Sequence, residues 1–299
     1  MGTNTTTAIG LWAQAARPKT LPAAAAPVFI GAGLAALRDG FAPLPAGAAL
    51  LGALLIQIAT NLANDYYDFL RGGDTEDRVG PVRVTQAGLI APEQVRNAMI
   101  LVLIAAGAVG AYLAWIGGWP MVVIGVVSLV LAVAYTGGPY PLAYHGLGDL
   151  FVFVFFGLVA VGGTVWVQQG VWPVEALWAG SGIGALSTAI LVVNNLRDIP
   201  TDRAAGKRTL AVRIGVSASR AQYLALVVLG LAVPPLGIVA FGWPPATLAT
   251  LVIGLAAIRP TRRVFGFTQP AQLLPALGET ARLVALYGVI LALALAFGG

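Results

Sequence analysis

The chain has 299 residues, of which 58% are hydrophobic and only 10% charged. A soluble domain carries about 25% charged residues, so the composition excludes an ordinary soluble globular protein and describes a polytopic helical membrane protein. The 17 basic and 12 acidic residues give a net charge of +5 that membrane topology accounts for without nucleic acid, and the absence of cysteine excludes disulfides and thiolate metal sites.

Nine apolar segments follow in chain order: 20–38, 43–69, 94–116, 119–136, 149–168, 174–197, 220–242, 244–258 and 279–297. The eighth is thin for a span, since crossing a bilayer takes about 20 residues. Threading the segments in order places 16 of the 17 Lys and Arg residues on one side, with Arg38 alone on the other. The positive-inside rule makes the populated side cytoplasmic, with the N-terminus inside and the C-terminus outside. The expected fold is an all-α bundle of about nine transmembrane helices around a central cavity, forming a single domain over residues 1–299.

The second segment ends in Asn64-Asp65-Tyr66-Tyr67-Asp68 and the sixth in Asn194-Asn195-Leu196-Arg197-Asp198. Both read Asn-(Asp/Asn)-x-x-Asp, and an even number of helices separates them, so both face the same compartment. A parallel four-helix repeat, 15–145 and 146–260, accommodates this offset. Carboxylates beside a bilayer are costly, about 2.5–3.5 kcal/mol for Asp at a helix centre. One such motif reads equally well as a helix cap with an Asp–Arg loop pair. Two in matched register point to a site.

Gln57, Asn61, Asn64, Asp65 and Asp68 share one helical face, and Asn194, Asn195, Asp198 and Asp202 form a second stripe. Pro200 predicts that Asp198 and Asp202 sit across a helix end. The acids are too few for a closed metal cage. They suit Mg²⁺, which takes one or two carboxylates, keeps water and completes its shell with substrate phosphates. Arg71, Arg78 and Arg83 follow the first motif, and Arg197, Arg203, Lys207 and Arg208 accompany the second, ready to hold phosphate. Acids for metal and bases for phosphate at one membrane face make the composition of a diphosphate site.

At these residues the chain resembles the UbiA superfamily of intramembrane prenyltransferases. The longer first motif, Asn64 through Asp74, is similar to the MenA-type branch that prenylates 1,4-dihydroxy-2-naphthoate on the way to menaquinone. Further pieces resemble that branch: Arg17-Pro18-Lys19-Thr20-Leu21, Gly80-Pro81-Val82-Arg83, Gln86-Ala87-Gly88-Leu89-Ile90, Tyr135-Thr136-Gly137-Gly138-Pro139, Gly146-Leu147-Gly148-Asp149, and Asn194 through Gly215. The resemblance covers about residues 15–220.

It implies Mg²⁺ bound by Asn64, Asp65, Asp68, Asp74, Asn194, Asp198 and Asp202. It further implies a polyprenyl diphosphate and an aromatic acceptor held by Lys19, Asn61, Arg71, Arg83, Gln86, Tyr135, Tyr140, His145, Arg197 and Lys207. Asp68, Asp198, Asp202 and Lys207 would act in ionising the donor. The naphthoate ring would then attack the allylic cation and lose carbon dioxide, with the site facing the cytoplasm of a cell membrane. His145 departs from the superfamily, where several members carry a Lys or Arg after this tyrosine; it is either a loop residue without a special role or, with Tyr140, a substrate contact. Other aromatic acceptors, such as 4-hydroxybenzoate, remain open within the superfamily. A secondary transporter is the alternative from another class, though its ion site belongs near the midplane.

Overall fold

Prolines open the long helices. Pro43 starts α3 (Pro43–Leu70), Pro92 starts α4 (Pro92–Gly117), and a proline sits in the first turn of α5 (Trp119–Ala134). At that position the missing N–H costs nothing and the fixed φ is already helical. Gly118, at φ +70, makes the sharp reversal between α4 and α5. The computed structural model describes residues 7–72, 80 and 83–299.

The remaining helices are α1 (Ala8–Ala16), α2 (Leu21–Leu37), α6 (Gly148–Phe153), α7 (Ala160–Gln169), α8 (Val174–Ala204), α9 (Leu210–Phe241), α10 (Ala249–Gly254), α11 (Ile258–Gly266) and α12 (Leu274–Phe297). One π-helical stretch, Val154–Val159, joins α6 to α7. No strand occurs among the described residues. Among the described residues seven helical stretches are long and apolar enough to cross a membrane, α1 with α2 forming one and α6 through α7 another, and α5 is a shorter apolar eighth.

The expected span at 244–258 is not one helix. The chain there runs as a 3₁₀ turn (Pro245–Leu248), α10, a second 3₁₀ turn (Leu255–Ala257) and α11. Pro244 and Pro245 remove two donors. The hydroxyls of Thr247 and Thr250 bond back to carbonyls three residues earlier, at 2.8 and 2.7 Å, which favours the tighter turn. Ahead of the segment expected to start at 220, a short helical stretch opens at Leu210, where Thr209 caps it through Val212 N, and the backbone kinks at Gly215, φ 78, before the long run to Phe241. Those opening turns are too polar for a hydropathy window to include.

Helix α8 is the central post, with most of its apolar run buried, whereas little of α4 is. The main core gathers Ile183, Leu186, Val193 and Leu196 of α8 with Ile30 and Leu34 of α2, Tyr223 of α9, and Leu283 and Tyr287 of α12. Small residues allow this closeness. A Cβ on Gly157 would overlap the Gly180 carbonyl oxygen and lie 2.7 Å from Gly184 Cα. Backbones in contact at this point hold the π-helical stretch against α8. Helices α3, α4 and α5 stand to one side and leave space between themselves and α2, α6 and α7.

Candidate active site

The polar stripe of α3 is built in two parts. At its apolar end Gln57 donates through Nε2 to Thr20 Oγ1 (3.2 Å) and Asn61 Oδ1 (3.3 Å). Asn61 in turn donates to Ala16 O and Thr20 Oγ1, both at 2.9 Å. This part fastens α3 to the turn between α1 and α2. One turn on, Asn64 Oδ1 accepts from Thr136 Oγ1 at 2.8 Å.

The two carboxylates beyond are buried and matched to cations. Asp65 takes Arg17 and, at 3.4 Å, Arg83. Arg17 reaches it from a left-handed residue, φ 52, between α1 and the next turn. Asp68 Oδ2 accepts from Arg83 Nη2 at 2.8 Å and Oδ1 from Tyr144 Oη at 3.1 Å, with Lys207 Nζ 3.5 Å away. Arg71 and Lys207 both stand over the Tyr144 ring, with their charges 5.1 and 4.8 Å from its centre. Burial pushes the Tyr144 hydroxyl pKa up, and the neighbouring Asp68 carboxylate adds to it, so Tyr144 stays a neutral donor.

The second motif ends α8. Arg197 grips Asp198 with Nε (2.7 Å) and Nη2 (2.6 Å), and Nη2 also donates to Asn194 Oδ1 at 2.8 Å. Asn194 Nδ2 closes the ring onto Asp198 at 3.4 Å. The helix runs unbroken through Pro200 to Ala204, so Asp198 and Asp202 lie one turn apart on one face and not across a helix end. Proline removes one donor only. The burial of Leu196, Arg197, Asp198 and Ile199, and the Thr201 hydroxyl on Asp198 O at 3.0 Å, keep this turn helical. After α8 the Lys207 amide bonds back to Asp202 O at 2.8 Å, and the Lys207 side chain crosses to Asp68. The two motifs thus meet at Lys207.

A cavity of about 510 Å³ runs into the bundle from Asn64, one turn before Asp68 on α3. Asn61 and Asn64 stand at its polar end with Gln57, Thr60 and Tyr135; its walls are apolar, from α2, α3, α4, α5 and the α6–α7 stretch. Phe151 and Phe155 line it with rings stacked 6.1 Å apart. The π-helical stretch turns both Phe155 and Phe156 toward this space.

The other expected residues divide. Arg71 donates to the carbonyls of Thr136 (2.6 Å) and Gly138 (2.5 Å) and so latches the 136–138 loop. Tyr140 is exposed and stacks on His145 at 3.6 Å; His145 Nδ1 donates to Pro141 O at 2.9 Å. Both stand near a second, basic cleft lined by Arg71, Tyr144, His145, Arg208 and Arg213. Lys19 is exposed, Gln86 is half-buried in the turn after Arg83, and Asp74 lies outside the described residues. The sequence pattern does not single out Tyr144 or the Thr136 hydroxyl as partners of the first motif. Arg17 and Thr136 belong to segments that carry the family resemblance, whereas Tyr144 carries no signal.

The donor set is oxygen only, an amide and carboxylates in each cluster, which fits a hard cation such as Mg²⁺. No group of three acidic or histidine side chains able to hold a metal occurs among the described residues. Waters and phosphate oxygens would therefore complete any shell.

The protein is a helical membrane bundle in which two clusters of paired acids and cations lie beyond the polar, Asn64 end of an apolar cavity. The chain belongs to the UbiA prenyltransferase family, whose model matches residues 24–272. It is 36% identical to a 1,4-dihydroxy-2-naphthoate octaprenyltransferase of Haemophilus influenzae, over 96% of each chain. It is 39% identical to the protein of the same name from Mycobacterium tuberculosis, over 96% of this chain and 97% of that one. Among solved structures, a UbiA homologue of Archaeoglobus fulgidus bound to DMAPP and Mg²⁺ shares the fold, with a TM-score of 0.66, 14% identity, and coverage of 94% of this chain and 98% of that one.

Proposed function

We propose that this chain transfers a polyprenyl group from polyprenyl diphosphate to 1,4-dihydroxy-2-naphthoate, releasing diphosphate and carbon dioxide and yielding demethylmenaquinol. The observation that carries this reading is identity of 36% and 39%, along nearly the whole chain, to two relatives named for that reaction. The cavity ending at Asn64 supports it, because a polyprenyl tail needs an apolar slot that begins at the diphosphate.

Asn64, Asp68, Asn194 and Asp198, with Asp202, would hold Mg²⁺, which when bound draws charge from the leaving diphosphate. The chain's own cations work beside it. Arg83 and Lys207, resting on Asp68, would turn their remaining donors to phosphate oxygens. Arg197 fixes the Asp198 carboxylate in one orientation and Thr136 fixes the Asn64 amide. Tyr144 holds the other oxygen of Asp68. These fixed dipoles and charges favour the ionised allylic pair over the intact donor. The C–O electron pair leaves with the diphosphate, the acceptor ring supplies a pair to the allylic carbon, and the pair of the C–CO₂ bond returns to the ring. The arginine asymmetry supports a site on the cytoplasmic side of the cell membrane.

Purified protein in nanodiscs, given geranylgeranyl diphosphate, Mg²⁺ and either the naphthoate or 4-hydroxybenzoate, tests the reading by mass spectrometry. A decarboxylated prenyl naphthalene product that disappears with chelator is expected. Product from the benzoate alone overturns the acceptor, and product that persists in chelator overturns the metal.

A further inference from the structure

The basic cleft beside His145 has no part in the proposed prenyl transfer. It measures about 470 Å³ and draws on three parts of the chain: Arg71 after α3, the 139–145 loop, and Gly206, Arg208 and Arg213 around the start of α9. Three guanidinium groups line it, and no carboxylate does among the described residues. A cleft walled by one sign of charge concentrates ions of the other sign.

Backbone contacts build this cleft. Arg208 N bonds to Tyr144 O at 3.0 Å, which ties the two loops together. Arg213 donates through Nε to Arg208 O at 3.0 Å and through Nη2 to His145 O at 2.9 Å. Gly146, at φ +73, gives it room, since a Cβ there would stand 3.0 Å from both Arg208 O and Arg213 Nε. Arg71 is fixed by the carbonyls of Thr136 and Gly138. Carbonyls hold Arg71 and Arg213 in place without neutralising them, whereas Arg83 and Arg197 rest on carboxylates. One wall is shared with the candidate active site. Tyr144 lines the cleft, while its hydroxyl donates to Asp68 and its ring lies under Arg71 and Lys207.

We infer that this cleft is a second site for a phosphate oxyanion, and that free diphosphate, the product leaving the two motifs, occupies it. The inference rests on the prenyl-transfer reading, which supplies that product on the other side of Tyr144. Diphosphate presents oxygens on two centres, and guanidinium forks brought in from separate elements match them. A guanidinium has five N–H groups, so Arg71 and Arg213 keep donors after their two carbonyl bonds each. Arg208 is exposed and adds a third charge. Binding here needs no metal, and no bond is made or broken.

Protein in phosphatidylcholine nanodiscs, given radiolabelled inorganic diphosphate in chelator, tests this, because the motifs then lack their metal. Wild type is expected to bind diphosphate, and more weakly as salt rises. Arg208→Gln and Arg213→Gln each weaken binding at least about tenfold, and Asp68→Asn does not weaken it. Arg208→Gln decides the matter if Arg213→Gln, which also unlatches the loops, fails to fold. No binding in chelator overturns the inference, as does binding that Asp68→Asn abolishes or that neither arginine variant changes. Lipid phosphates are the other source of the same chemistry. With phosphatidylglycerol added to the nanodisc, the ratio of about tenfold between wild type and Arg208→Gln is expected to persist. Its collapse gives the cleft to a lipid headgroup and overturns the assignment to diphosphate. A wild type that binds as expected but makes no prenylated naphthoate contradicts the function reading alone.

Discussion

Asp68→Asn is expected to lower turnover by about a thousandfold, the scale set by removing a preorganised charge-stabilising group. Three groups converge on this carboxylate: Arg83 at 2.8 Å, Tyr144 at 3.1 Å and Lys207 at 3.5 Å. Asparagine keeps the shape and one acceptor oxygen but loses the charge. The proposed metal loses a ligand, and both cations lose the anchor proposed to aim them at the diphosphate. Breaking a buried pair from one side costs about 3–5 kcal/mol. The Arg83 and Lys207 side chains are 8% and 14% exposed, so partial rehydration keeps the stability loss at the low end. Product formation and thermal unfolding of the same preparation measure the two effects separately. Turnover near the wild-type rate removes Asp68 from the site.

Asp198→Asn is expected to abolish turnover as well, and to destabilise the protein more than Asp68→Asn does. Its partner Arg197 has a side chain only 1% exposed, and that guanidinium cannot turn to water. It would be left between two neutral amides at a cost near the top of the 3–5 kcal/mol range, ~5 kcal/mol. The pair Asp198→Asn/Arg197→Met removes the stranded charge and is expected to regain most of the melting temperature while staying inactive. Such coupling between contacting residues is what a double-mutant comparison detects. A double variant no more stable than Asp198→Asn would mean that Arg197 is not held by Asp198 in the way its 2.6 and 2.7 Å contacts indicate.

Much of the bundle and of its acidic stripes is legible in the sequence. Long apolar runs separated by arginine-bearing loops give the helices, and the three- and four-residue spacing puts Asn61, Asn64 and Asp68 on one face. Which cation meets which acid is not legible, because that depends on loops folding back. Arg17 comes to Asp65 from 48 residues away, Tyr144 to Asp68 from 76 and Lys207 to Asp68 from 139. Hydropathy sorts the basic residues only by side of the membrane. Arg71 and Arg197 illustrate the consequence, one holding loop carbonyls and the other its neighbouring Asp198. Two local expectations give way to packing. Pro200 does not end α8, because buried neighbours on both sides outweigh one missing hydrogen bond. The 244–258 run does not form a single helix, because apolarity carries no information about the 3₁₀ turns that its prolines and threonines favour.

The central claim is that the two acidic motifs form one site for a Mg²⁺-bound prenyl diphosphate. It is tested most directly by binding of a non-hydrolysable geranylgeranyl thiodiphosphate to wild type, Asp68→Asn and Asp198→Asn in nanodiscs, with and without Mg²⁺. Tight binding by wild type that needs Mg²⁺, lost equally when either motif is altered, is the result expected. Binding that survives alteration of one motif, or that is indifferent to Mg²⁺, contradicts it.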